Sequence, residues 1–297
     1  MKIFDLSKII LVMFLWAVCF PLITAGFAYA PHLTFAALRA FIAGAALVGT
    51  GLMLGRAVPR GWRIWTILTF VGLGATSLAY LGMFHAAEFI SPGIATVIAN
   101  TQPLLAAMLA GIFLNEHLDG AGKLGLGLGF AGIILIAAPQ FLSMQAVNYT
   151  IGIAYILLAA IGITVSNVLI KWISADVDAI MAMGFQMLIG AIPLAIAAFA
   201  FEEPQNIIWS WRFILILAAL SLFGSALVYW LWMLVLEKTP LNRANAFSFL
   251  VPVFGLAMGV LFFNESLGWL EFAGIGLTLL GIALVSRETG QIVKKQG

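Results

Sequence analysis

Apolar residues fall in ten long blocks along this chain, at 9–27, 35–55, 64–87, 93–114, 124–138, 151–173, 179–201, 211–236, 244–263 and 267–285. Short stretches rich in glycine, proline or charge divide them, among them the turn around Pro31, the Arg56, Pro59 and Arg60 segment, and the acidic loop at 202–210. A bilayer core is crossed by about 20 apolar residues in a helix. The pattern therefore predicts ten transmembrane helices, the glycine-rich fifth being short for a span. Lys2 and Lys8 precede the first block, and Ala28-Tyr29-Ala30 has the small-x-small form of a cleavage site. The block between them exceeds the roughly 7–15 apolar residues of a secretory signal, so it is expected to stay as the first span.

The blocks repeat. Residues 95–118 read ATVIANTQPLLAAMLAGIFLNEHL and residues 244–267 read ANAFSFLVPVFGLAMGVLFFNESL. Pro103 pairs with Pro252, Asn115 with Asn264 and Glu116 with Glu265, all at one offset (252 − 103 = 149). The same offset matches Trp62-Arg63 with Trp211-Arg212, Tyr80 with Tyr229, Glu88 with Glu237, and Gly125, Gly127 and Gly132 with Gly274, Gly276 and Gly281. Earlier in the chain it shortens slightly, and Arg39 meets Gln186 (186 − 39 = 147). Each copy holds five spans, an odd number, so the second enters the bilayer from the opposite side. The expected fold is an all-α membrane protein of ten transmembrane helices in two inverted five-helix repeats, 1–139 and 151–297, joined by a linker at 140–150. Such repeats build transporters that alternate access around a midplane site. A proline inside an apolar helix frees a backbone carbonyl, and a bilayer tolerates that only where protein or a water-lined cavity satisfies it. Pro103 and Pro252 are thus expected as matched hinges of two broken helices.

Composition fits this class. The chain is 63% hydrophobic and only 9% charged over 297 residues, against about 25% charged in soluble domains. A net charge of +2 gives no reason to expect nucleic acid as a partner. Cys19 is the one cysteine, and His32, His85 and His117 are scattered, so neither a disulfide within the chain nor a Cys/His metal site is expected. With the N-terminus inside, twelve of the fourteen lysines and arginines fall on the cytoplasmic side. Arg212 falls outside and Arg39 lies within the second span. That bias predicts cytoplasmic N- and C-termini.

Polar residues deep in a span are costly and usually face the bundle interior. Arg39 is a counter-charge for a substrate carboxylate or a gate partner, or else a side chain that snorkels or binds helix-end carbonyls. Asn100 and Gln102 before Pro103, Asn245 and Ser248 before Pro252, Asn167 in the sixth span and Gln186 opposite Arg39 are candidates to line a pathway. Trp16, Tyr80, Tyr229, Trp230 and Trp232 are candidate pocket walls, and His85 a candidate titratable group near the outer end of the third span. No carboxylate lies near a span centre, so a buried proton relay has no evident seat. Glu116 and Glu265 are expected to fix the start of the helix that follows each of them. The glycine stripes lack the Lys-Ser/Thr of a phosphate loop, and neither Gly-x-Ser-x-Gly nor His-Glu-x-x-His occurs. No enzyme chemistry, cofactor or metal is expected.

The residues Ala36-Ala37-Leu38-Arg39, Pro103 followed by Phe113-Leu114-Asn115-Glu116, and Pro252 followed by Phe262-Phe263-Asn264-Glu265, set in ten spans and two repeats, resemble the drug/metabolite transporter superfamily in its EamA-type form. The resemblance covers nearly the whole chain. It implies a bacterial inner-membrane exporter of amino acids and related metabolites, sometimes drugs, with a cavity lined by both repeats. The chain departs from the small four-helix relatives in lacking a first-span glutamate, which counts against proton-coupled export of cationic drugs. The expectation is a secondary exporter of small amphipathic metabolites, amino acids first, with a multidrug or cationic-compound exporter as the alternative.

Overall fold

The computed structural model describes residues 3–86, 89, 98–142, 149–263 and 267–286. Among these the regular structure is helical, with no strand. The helices are α1 (Ile3–Gly26), α2 (His32–Met53), α3 (Trp62–Ala86), α4 (Gln102–Phe113), α5 (Gly120–Leu142), α6 (Tyr149–Ile173), α7 (Ala179–Phe201), α8 (Trp211–Lys238), α9 (Leu241–Ala246), α10 (Leu250–Phe263) and α11 (Trp269–Ser286). Seven of them, α1–α3, α6–α8 and α11, contain a stretch long and apolar enough to cross a membrane, while α4 and the Gly120–Ile136 part of α5 are shorter apolar segments. Large apolar side chains such as Phe41, Phe70, Ile192, Ile196 and Phe199 are exposed, as a surface facing lipid requires.

The two matched prolines do not interrupt helices from within. Pro103 is the second residue of α4, behind a turn at Asn100 and Thr101. Pro252 is the third residue of α10, behind a tight 3-10 turn, Phe247–Phe249, that separates it from α9. In a first helical turn the missing N–H has no intrahelical acceptor to lose, so each proline opens a helix at the break that precedes it.

α5 pairs with α11, α3 with α6, and α2 with α7, over the most extensive interfaces. Backbones touch where glycines cross: a Cβ on Gly132 would lie 2.6 Å from the Gly274 carbonyl oxygen, and one on Gly274 would lie 2.6 Å from that of Gly132. Without a hydrophobic drive between helices in lipid, such close approach supplies the packing.

The connecting turns tie helices at both ends of the bundle, across the two halves through Asp178 and Glu202 and within the second half through Lys171. At the end where the basic residues gather, Arg56 Nη1 lies 3.7 Å from Asp178 Oδ2, and Asp178 caps α7 through the Ile180 and Met181 N–H groups. Lys171 donates to the carbonyls of Leu236 and Thr239, where a cation suits the C-terminal end of α8. At the opposite end Glu202 accepts from Leu33 N (2.7 Å), Thr34 N (2.8 Å) and Thr34 Oγ1 (2.8 Å), capping α2. Glu116 departs from expectation. Asn115 adopts φ 53°, Glu116 N–H returns to Ala110 O (3.1 Å), and its carboxylate accepts from Asn242 N (3.3 Å) in the first turn of α9. Asp119, not Glu116, serves the following helix, accepting from Gly122 N (2.8 Å) at the start of α5. Asn264, Glu265 and Glu88 lie outside the described residues.

Candidate functional site

Both α3 and α8 widen into a π-helical stretch near their middles, Gly72–Leu78 and Leu222–Leu227. A π turn disturbs the regular i→i−4 ladder and recurs at functional sites. Two carbonyls 149 residues apart take side-chain donors there (224 − 75 = 149): Ala75 O accepts from Tyr229 Oη (2.9 Å) and Gly224 O from Arg39 Nη2 (3.0 Å). The next residue in each stretch bears a hydroxyl. Arg39 Nε donates to Ser225 Oγ (2.8 Å), and Thr76 Oγ1 donates to Gln186 Oε1 (3.0 Å). Tyr80 Oη lies 2.9 Å from Ser225 Oγ, and the Arg39 guanidinium sits 4.9 Å from the centre of the Tyr80 ring.

Arg39 is 4% exposed, so it does not snorkel. Its head binds the π turn of α8, the ring of α3 and, at 3.5 Å, the Cys19 sulfur of α1. The titratable groups that face it are Cys19, Tyr80 and Tyr229, and no described carboxylate pairs with it. Hydrogen bonds and the ring face offset part of the cost of a cation inside a bilayer, while its charge is left without an opposite. Gln186 is fully buried, and the end of its amide turned away from Thr76 has no hydrogen-bond partner.

A second, uncharged network lies one helical turn nearer the basic end, since Trp232 follows Tyr229 by three residues on α8 and Trp16 precedes Cys19 by three on α1. Asn245 Oδ1 accepts from Gln102 Nε2 (3.2 Å) and Asn167 Nδ2 (3.4 Å), and Asn245 Nδ2 donates to Leu241 O (3.2 Å). Trp232 Nε1 donates to Asn167 Oδ1 (2.9 Å), and the Trp16 and Trp232 rings stand 5.5 Å apart. The breaks ahead of α4 and α10 bring Gln102 and Asn245 together.

The structure thus gathers Arg39, Gln186, Tyr80 and Tyr229 in one cluster and Gln102, Asn167, Asn245, Trp232 and Trp16 in the next. Asn100 is buried in the turn ahead of Gln102. Three candidates stand apart. His85 packs against Tyr155 (4.9 Å) and Phe89 (5.7 Å) near the end of α3. Trp230 is half-buried against the main apolar core. Ser248 Oγ is buried without a partner in the turn between α9 and α10. Sequence reasoning passed over Ser225, Thr76 and Cys19. Ser225 and Thr76 share the 149 offset, the one signal that singles them out. At the basic end, burial raises the Glu116 carboxyl from its ordinary value, opposed by the backbone donors of Asn242 and Leu241 and by the charges of Lys171 and Arg243.

The model of the EamA-like transporter family matches residues 6–138 and 150–287. A protein of Synechocystis sp. named as an uncharacterized transporter is 32% identical over 270 residues, covering 83% of this chain and 81% of its own. A protein of Escherichia coli (strain K12) named "Probable amino-acid metabolite efflux pump" is 27% identical over 282 residues, covering 92% of this chain and 91% of its own. A protein of known crystal structure shares the fold, with a TM-score of 0.82 at 20% identity over 96% of this chain and 97% of that one.

Proposed function

The chain belongs to the EamA-like transporter family, and on that premise we propose that it exports small amphipathic metabolites, amino acids and their close relatives first, by alternating access. It is a multi-pass membrane transporter. In the proposed arrangement ten spans form two inverted five-helix repeats, 1–139 and 151–297, in a bacterial inner membrane with both termini cytoplasmic. The α4 and α9–α10 segments are the fourth and ninth spans, broken just ahead of Pro103 and Pro252.

The observation that carries this reading is the pair of matched contacts at the two π turns. Arg39 on α2 meets Ser225 of α8, and Gln186 on α7 meets Thr76 of α3. A carrier that exposes one site to either side by a rocking motion needs two similar halves meeting around that site. Arg39 would hold a cargo carboxylate, as guanidinium groups do well. Gln102, Asn167 and Asn245 would supply neutral hydrogen bonds, and Tyr80, Tyr229, Trp16 and Trp232 the apolar walls. The Escherichia coli relative is named for cargo of the same class. A cationic drug would have to approach Arg39 unpaired, so the multidrug reading has the weaker support.

The test is uptake of a labelled amino-acid and amino-acid-derivative panel into proteoliposomes that hold the purified protein, with and without a pH gradient. Saturable, selective flux supports the reading, and Arg39→Ala should lower it at least about tenfold while inserting normally. Drug resistance in cells without flux of any panel member would overturn it. A cytoplasm-restricted reporter fused to the C-terminus tests the topology, and an inactive reporter refutes an even span count.

A further inference from the structure

We infer that the preferred cargo carries a net negative charge, a carboxylate without a free ammonium group, and that membrane potential rather than a coupled proton drives its exit. This rests on the transporter reading above and narrows it.

Arg39 is the buried cation of the described interior. Every described carboxylate lies in an end turn or a connection, Glu237 in the last turn of α8 and Glu271 in the first turn of α11 among them. The groups that face Arg39 are neutral: a thiol, two phenols, a serine hydroxyl and a carbonyl. The described interior is therefore positive by one charge.

The hydrogen-bond inventory points the same way. Beside Arg39, Ser225 and Tyr80 share one hydrogen bond and keep a second hydroxyl proton to donate, the Tyr229 and Thr76 hydroxyls already donate to Ala75 O and Gln186 Oε1, and the amide N–H end of buried Gln186 has no partner. The acceptors are already engaged. Gly224 O takes Arg39, Ala75 O takes Tyr229, Asn245 Oδ1 takes two amide donors, and Asn167 Oδ1 takes Trp232. A carboxylate entering here meets a guanidinium, one free hydroxyl proton of the Ser225 and Tyr80 pair and the Gln186 amide. An ammonium entering with it meets a like charge and no carboxylate, and an ion buried unpaired is strongly disfavoured. The fit is to an N-acylated or deaminated amino acid rather than to the zwitterion.

Such a cargo needs no proton relay. A cell interior held negative expels an anion, and a potential of 100 mV sustains about a fifty-fold gradient of a monovalent ion. The interior without a described mid-span carboxylate suits that source of energy.

The experiment uses the full chain in proteoliposomes with three labelled probes of one shape: N-acetylphenylalanine (anion), phenylalanine (zwitterion) and phenethyltrimethylammonium (fixed cation). Potassium diffusion potentials of either sign are imposed with valinomycin, without a pH gradient. N-acetylphenylalanine should move at least about tenfold faster than phenylalanine, its net direction should reverse with the sign of the potential, and its final gradient should approach fifty-fold per 100 mV. The cation should not be carried. Arg39→Gln should remove the preference for the anion, and Arg39→Lys should restore part of it. Because the wild-type comparison needs no variant, a misfolded Arg39→Gln does not weaken the test. Phenylalanine carried as fast as its acetyl derivative, anion flux blind to potential, or flux that appears only with a pH gradient would each overturn the inference and leave the transporter reading standing. No flux of any probe, nor of the amino-acid panel, would overturn both.

Discussion

Asn245 offers the cleanest measurement of a tie between the two halves, made by Gln102, beside one within the second half, made by Asn167. Its Oδ1 accepts from Gln102 on α4 and from Asn167 on α6. An interhelical hydrogen bond in a membrane protein contributes about 0.6 kcal/mol on average and up to about 1.7 kcal/mol. Asn245→Ala removes two, so the loss should be near 1.2 kcal/mol, about an eightfold shift in the unfolding equilibrium. Part of that is shared with the Leu241 carbonyl, which a double-mutant cycle separates. Unfolding of Asn245→Ala, Gln102→Ala and the double variant in mixed detergent micelles should return a coupling of about 0.6 kcal/mol. Asn167→Ala should cost more than Gln102→Ala, because it also orphans the Trp232 N–H, whose ring is 2% exposed, and an unpaired buried donor costs about 1–3 kcal/mol. Additive effects of Asn245→Ala and Gln102→Ala would refute the network as a structural tie. Lost flux with additive stabilities would reassign Asn245 from partner helices to cargo.

Three further outcomes follow from the geometry. Gly132→Val should split α5 from α11 and abolish a monodisperse peak on size-exclusion chromatography, whereas Gly127→Val, whose Cβ would meet open space, should elute as wild type; equal behaviour would show that the glycine stripe does not pack helices. Glu202→Ala should lower unfolding stability by about 1–2 kcal/mol, since it strips the α2 N-terminus of its capping carboxylate, and no change would mean that water replaces it. Glu116 sets a pH dependence whose sign is fixed by its raised folded-state value: its contribution is fully present below the ordinary glutamate value of about 4.3, is lost as pH rises through the folded value, and is flat above it. Glu116→Gln should remove that slope from a plot of unfolding midpoint against pH, and an unaltered slope would place the titrating group elsewhere.

The apolar blocks were legible because a bilayer imposes both length and polarity on every crossing segment. Block edges could not show that the fourth and ninth are divided, since Asn100-Thr101 and Phe247–Phe249 turn the chain without a polar run long enough to mark a loop. The prolines signalled a break and misplaced it by a few residues, because proline is as well suited to open a helix as to kink one. Arg39, Gln186 and the amides were legible as expensive residues in apolar surroundings. Ser225 and Thr76 were not, because small hydroxyls satisfy themselves on a helix's own carbonyls and carry little signal. Glu116 was misread for a different reason. A carboxylate after a helix end has two helix starts within reach, one next in sequence and one next in space, and the sequence shows only the first.

The two π turns explain how polar chemistry is built where the bilayer penalises it. A regular helix offers no free carbonyl at its middle, so a guanidinium there would find only side chains. Widening α8 at Leu222–Leu227 presents Gly224 O to Arg39, and widening α3 at Gly72–Leu78 presents Ala75 O to Tyr229. The backbone arrangement is shared by both halves, while the side chains are not. One half contributes Arg39 and the other, at the matching place, the neutral Gln186. Duplicating the arginine would bury a second cation with no described carboxylate to pair it, and an unpaired charge inside a bilayer is strongly disfavoured. Gln186→Arg is therefore the sharpest probe of the matched design: it should fail to insert stably on its own and be rescued by Arg39→Gln, which returns the interior to a single positive charge on the other half. Rescue would show that the two places are interchangeable around one site, and instability of the double variant equal to that of Gln186→Arg would show that they are not.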